Sequence, residues 1–138
     1  MKRILLISVL ALLGFCSREA SAQNSFVADT SPDVFSPICK YIQTGDSDRL
    51  SAWFADNLEL DILGAVNNST RNQARRIMKN FFNNYTPKQF NLIHKSGKSP
   101  MKYAVGTLDA GGEKFRIILY VKTNEGRSYI QHLKVERE

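Results

Sequence analysis

The hydrophobic period of this chain changes at Pro87, and that change narrows the folds open to it. Before Pro87 apolar residues recur at spacings of three and four; after it they alternate. Residues 90–95, 101–108, 114–122 and 128–136 read as four strands, separated by Ser96-Gly97-Lys98, Ala110-Gly111-Gly112 and Asn124-Glu125-Gly126. Glycine-bearing turns at this spacing predict consecutive antiparallel hairpins. The third run alternates most clearly, with Phe115, Ile117, Leu119 and Val121 inward and Arg116, Ile118 and Tyr120 outward. In the last run, alternation puts Leu133 and Val135 on one face and Ile130 with His132 on the other. In the first, Phe90, Leu92 and His94 share a face.

Upstream, Ser31-Pro32-Asp33 opens a helix with a hydroxyl cap, a proline at the first helical position and an acid at the positive dipole end. Val34, Phe35, Ile38, Tyr41 and Ile42 form its apolar stripe, Pro37 disturbs or delays its first turn, and Gly45 ends it. Asp46 or Ser47 caps a short second helix carrying Leu50, Trp53 and Phe54. Residues 58–63 then alternate, with Leu58, Leu60 and Ile62 opposite Glu59 and Asp61, and Asn67-Asn68-Ser69 reads as a turn. Thr70 and Gln73 have capping-box spacing for a third helix, whose apolar set is Ala74, Ile77, Met78, Phe81, Phe82 and Tyr85. Arg71, Arg75, Arg76 and Lys79 fill its other faces, a solvated flank or an anion-binding face. The expectation is an α+β fold: helices packed on a strongly curved antiparallel sheet, in the order α-α-β-α-β-β-β-β.

The first residues read as an address rather than as structure. Lys2 and Arg3 precede an uncharged apolar run over 4–15, and Ala20-Ser21-Ala22 supplies the small residues of a cleavage site before Gln23. The run is too short for a permanent membrane span. A signal peptide over 1–22, a flexible tether over 23–30 and one domain over 31–138 are expected, with the product exported to the periplasm. Leu13-Gly14-Phe15-Cys16 is an imperfect lipidation motif, because Phe15 stands where a small residue is needed; anchoring at Cys16 is the lesser alternative.

The 138 residues less a 22-residue leader leave 116, enough for one core. Taking Lys2, Arg3, Arg18 and Glu19 from the full charge of +6 leaves about +4. That is a mild balance, which argues against nucleic acid as a partner. Cys39 is the only cysteine after the leader, so no internal disulfide can form. Two isolated histidines without acids at ligand spacing argue against a metal centre, and no motif asks for a cofactor.

The element order, together with the passage Gly45-Asp46-Ser47-Asp48-Arg49-Leu50 into Trp53-Phe54-Ala55-Asp56-Asn57-Leu58, resembles the nuclear transport factor 2-like fold. More narrowly, residues 50–64, Phe81-Phe82, residues 90–97 with Ile93-His94, residues 103–108 and residues 130–135 resemble a family of small exported bacterial proteins known as domain of unknown function 4783. The resemblance implies a cone-shaped domain with an internal pocket; it implies no activity.

Two functional readings follow. In the first, the chain is a non-enzymatic binding or interaction module of the cell envelope. Trp53, Phe82, His94 and Tyr103 would line a cone holding a small apolar or amphipathic ligand, or the outer sheet face would take an envelope protein or form a homodimer through Arg116, Ile118, Tyr120, Ile130 and His132. In the second, it is an isomerase- or dehydratase-like enzyme. The resemblance to ketosteroid isomerases puts a carboxylate base near the end of the first strand, where Asp61 stands, with His94 as a proton carrier. The alternation that sets Asp61 against Leu60 and Ile62 favours a carboxylate facing water, and no oxyanion pair is visible. For His94 the bland alternative is a hydrogen-bonded core residue, and for Cys39 a buried, inert thiol.

Overall fold

The computed structural model describes residues 33–138; the signal peptide, the Cys16 motif, the tether and the Ser31-Pro32 helix start lie outside the described residues. Helix α1 (Phe35–Thr44) starts where Asp33 accepts hydrogen bonds from the Phe35 amide (3.0 Å) and the Ser36 hydroxyl (2.6 Å). Pro37 is its third residue, where the missing N–H has no intrahelical acceptor to lose. Gly45 closes the helix in the left-handed region at φ 69°. Asp46 caps α2 (Ser47–Ser51) through the Arg49 amide. Thr70 and Gln73 form the full capping box of α3 (Arg71–Asn84), which buries Ala74, Met78, Phe81 and Phe82. Two of its basic residues are paired: Arg71 with Asp56 at 3.0 Å and Arg75 with Asp48 at 3.2 Å.

Six strands form one sheet: β1 (Phe54–Ile62), β2 (Ala65–Thr70), β3 (Pro87–Lys98), β4 (Met101–Ala110), β5 (Glu113–Asn124) and β6 (Arg127–Arg137). Their spatial order is β2-β1-β6-β5-β4-β3. The four strands after Pro87 are the expected antiparallel meander. The segment read as a turn at Asn67-Asn68-Ser69 is instead the middle of β2, which pairs with β1 through the tight Leu63-Gly64 turn. Its polar residues are tolerated because β2 is an edge strand on which only Ser69 is buried. One pairing is parallel: β1 runs alongside β6, joining the two ends of the domain.

The helices cover one face of this sheet, α1 against β3 and α3 against β1. The core between the layers holds Ile38, Ile42, Leu50, Phe54, Leu60, Met78, Phe115, Ile117, Leu119 and Leu133, all without solvent contact. Removing an apolar side chain of that size from water stabilises by about 1.5–3 kcal/mol. The opposite face of the sheet has no layer packed on it among the described residues.

Two register shifts decide what that open face carries. A bulge between Leu92 and His94 leaves Ile93 extra and turns His94 outward, while Phe90 stays in the core. A second shift lies between Tyr120 and Val121, where Val121 pairs with Ile130 but Tyr120 pairs with His132. Ile130 therefore joins Leu133 and Val135 inside, fully buried. Its expected place on the outer face is corrected: strict alternation fails because Gln131 is the additional residue.

Candidate functional site

Aromatic rings stand within the interior that the cone implied. The Phe90 ring lies directly on Gly106, so close that a Cβ there would sit 2.4 Å from its Cζ. Phe81 packs edge-on against Phe82 and Phe115 at 5.9 and 5.2 Å, and Tyr85 against Phe115 at 4.9 Å. Arg137 lies over the Tyr85 and Phe115 rings and also pairs with Glu113. Of the four residues expected to line a pocket, Phe82 is a core residue, Trp53 is half-buried at the core's edge, and His94 and Tyr103 are on the open face. The fold does not bring the four together.

What it does bring together is a row of rings across the open face. His94 on β3 lies 5.7 Å from Tyr103 on β4, and Tyr103 lies 5.9 Å from Tyr120 on β5. Tyr120 stacks on His132 of β6 at 5.5 Å and 29°. His132 in turn directs Nε2 toward Glu59 Oε2 on β1, 3.3 Å away. Five strands thus contribute one residue each to a continuous line. The contacts follow from register: Tyr103 faces Tyr120, Tyr120 faces His132, and His132 faces Glu59.

Beside this row run two others. Val105, Ile118, Lys134 and Asp61 form the next, with Lys134 Nζ 4.0 Å from Asp61 Oδ2. Thr107, Arg116 and Glu136 form the third, with Arg116 and Glu136 3.6 Å apart. Of the expected interface set, Arg116, Ile118, Tyr120 and His132 lie together here. Two polar atoms on this face, Asp61 Oδ1 and His132 Nε2, are shielded from solvent without a hydrogen-bond partner; the His132–Glu59 approach is close but poorly aligned.

Asp61 and His94 are both on the open face, but β6, β5 and β4 intervene. Four strand spacings of ~4.8 Å put them roughly 19 Å apart, far beyond proton transfer. The geometry thus withholds the shared site that the enzymatic reading requires. Cys39 is half-buried against the core, and burial, with Asp33's charge as a lesser cause, pushes its thiol up to about 11. A thiol so protonated is a poor nucleophile at neutral pH.

The row escaped sequence reasoning because alternation put His94 inside. The available signal was Ile93-His94, where an apolar residue falls on the polar beat of the strand. Such a break marks a bulge.

The family model of the domain of unknown function DUF4783 matches residues 35–136, and the chain belongs to this family. A DUF4783 family protein from Bacteroides uniformis superposes with a TM-score of 0.74 at 19% identity, covering 77% of this chain and 98% of that one. Another, from Bacteroides fragilis, gives 0.72 at 21% identity, with 77% and 100% covered. A nuclear transport factor 2-like protein of unknown function from Shewanella baltica gives 0.58 at 10% identity, with 75% and 87% covered. These likenesses establish the nuclear transport factor 2-like fold. None of the curated proteins matches this sequence.

Proposed function

We propose that this protein is a non-enzymatic interaction module of the cell envelope, working through the open face of its sheet rather than through an internal pocket. The leader over residues 1–22 supports export to the periplasm. The observation that carries the rest is the unbroken row His94, Tyr103, Tyr120 and His132 on a face that nothing covers among the described residues. Tyrosine, histidine and arginine around a small aliphatic centre are the composition of a protein interface core, combining large contact area with hydrogen-bonding edges. The filled interior, with Phe90 closed onto Gly106, argues against a cone holding a small ligand.

Photo-crosslinking in cells tests this reading. A benzophenone amino acid at position 120 is expected to give a covalent adduct in the envelope, and the same group at Arg49, exposed on α2, none. Adducts from position 49 alone would move the working surface to the helices. Native mass spectrometry tests the interior: a mass above the bare polypeptide, lost on denaturation, would overturn the filled cone.

A further inference from the structure

The two edges of the sheet are built differently. At the β3 edge the Phe90 amide donates to Gln43 Oε1 of α1 at 3.2 Å, the strand bulges at Ile93, and Lys88, Lys95 and Lys98 stand exposed along it. Covering groups, bulges and lysines are the devices that keep an edge strand from pairing with another chain. Among the described residues, the β2 edge has none of these over residues 65–69. The strand Ala65–Thr70 carries no charge and no proline, its register with β1 runs without a shift, and only Ser69 is buried. Leu63 and Val66 are 36% and 59% exposed at its start. From this contrast we infer that β2 is a docking edge, which takes an extended segment of a partner protein as one more strand of the sheet.

The turn at Leu63-Gly64 sets which backbone groups are free. Residues flanking a two-residue hairpin turn exchange both backbone bonds, and so does every second pair beyond them. Ala65, Asn67 and Ser69 therefore bond to β1. Val66 and Asn68 aim their N–H and C=O groups at the open edge, as does Thr70, whose amide is already taken by Gln73 Oε1 at 3.0 Å. The incoming side chains follow from the same register. Those opposite Val66 and Asn68 lie on the open face, where Val66 calls for an apolar neighbour. Those between them turn towards α3. There the edge and the helix bound a groove of about 310 Å³, lined by Asn67, Asn68, Ser69, Gln73, Arg76 and Ile77. Arg76 is exposed, and unlike Arg71 and Arg75 it has no acidic partner among the described residues. Charge complementarity fixes the occupant's chemistry: apolar residues facing Val66 and an acidic residue reaching Arg76. This edge is separate from the row of rings, so its docking stands independently of the open-face reading.

Two fluorescein-labelled heptapeptides test the inference, one alternating valine with glutamate and one alternating valine with lysine, titrated into the purified protein at low salt by anisotropy. The glutamate peptide is expected to bind roughly tenfold more tightly than the lysine peptide, and Arg76→Glu to reverse that preference. Val66→Pro removes an outward N–H that β1 does not use, a change that an edge strand accommodates. It should weaken the glutamate peptide by roughly tenfold or more while the circular dichroism stays that of the parent. In amide spectra of isotope-labelled protein, the glutamate peptide should slow hydrogen exchange at Val66 and Asn68 and leave the β3 amides as they were. Should Val66→Pro unfold, the exchange pattern and the charge reversal decide. Equal binding of both peptides, or no binding at millimolar concentration, overturns the inference. So does an unchanged preference in Arg76→Glu, or protection that falls on β3 or around Tyr103 and Tyr120 instead.

Discussion

Replacing Gly106 by alanine puts a methyl group where the Phe90 ring already is. The new Cβ would lie 2.4 and 2.6 Å from two ring carbons and 2.9 Å from the Asn91 carbonyl oxygen. Ordinary contact needs roughly 3.5–4.0 Å, so the ring must retreat by about 1 Å. Phe90 is 6% exposed and hemmed in by core neighbours, so that retreat means overpacking, which costs about 1–3 kcal/mol. Against it stands the reduced freedom of alanine in the unfolded chain, worth about 0.4–1 kcal/mol. The net expectation is a loss of about 1–2 kcal/mol, or roughly 5–15 °C in Tm for a domain of this size. Urea unfolding of Gly106→Ala, Phe90→Leu and the double variant measures it. Phe90→Leu alone also destabilises, but in combination the shorter side chain should relieve part of the clash. The coupling between the two sites should reach about 1 kcal/mol. Relief stays partial because the Asn91 carbonyl belongs to the backbone and cannot withdraw. Simple additivity of the two changes, or a Gly106→Ala variant as stable as the parent, would refute the account of a cone closed by Phe90.

Three further outcomes are expected. At pH 8 Cys39 should react with Ellman's reagent roughly 100-fold more slowly in the folded protein than in urea, because its thiol is raised from 9.0 to about 11. Since the unfolded thiol ionises first, stability should fall as pH climbs from about 9 towards 11; equal rates folded and unfolded would contradict this. The Ser36 hydroxyl, outweighing burial and helped by the Phe35 amide and Lys95, holds the Asp33 carboxyl below its ordinary value. Its contribution is therefore present above that value and lost as pH falls through the folded one, and Asp33→Asn should flatten that part of the acid-unfolding curve. Thr70→Ala removes one half of the α3 capping box and should cost about 1 kcal/mol in chemical denaturation, whereas Thr70→Gly should cost only a few tenths more than nothing.

Of the candidate site, the sequence disclosed the parts that lie on regular strand. On β5 the outward places of Arg116, Ile118 and Tyr120 follow from unbroken alternation, and the structure puts them there. His94 and Ile130 exchanged faces with respect to the same rule, each beside a bulge. Because side chains alternate with a period of two, one inserted residue inverts every position beyond it until the next shift. The helix stripes were immune to this, since α1 and α3 run without interruption.

The division between helices and strands, their start and stop signals, and the buried stripe of each element are local properties, written in runs of about ten residues by period, caps and turn glycines. The sequence by itself was enough for most of these and for the resemblance that named the fold. It failed at β2, read as a turn, at Phe54, which opens β1 instead of ending α2, and beside the bulges of β3 and β6. Which strands lie side by side is not local. The parallel pairing of β1 with β6, the four spacings that part Asp61 from His94, and the row from Glu59 to His94 arise only when distant segments compete for the same sheet positions. That competition is settled by how well the whole core fills, with Phe90 seated on Gly106 and Ile130 drawn inward, and no short stretch of sequence carries that information.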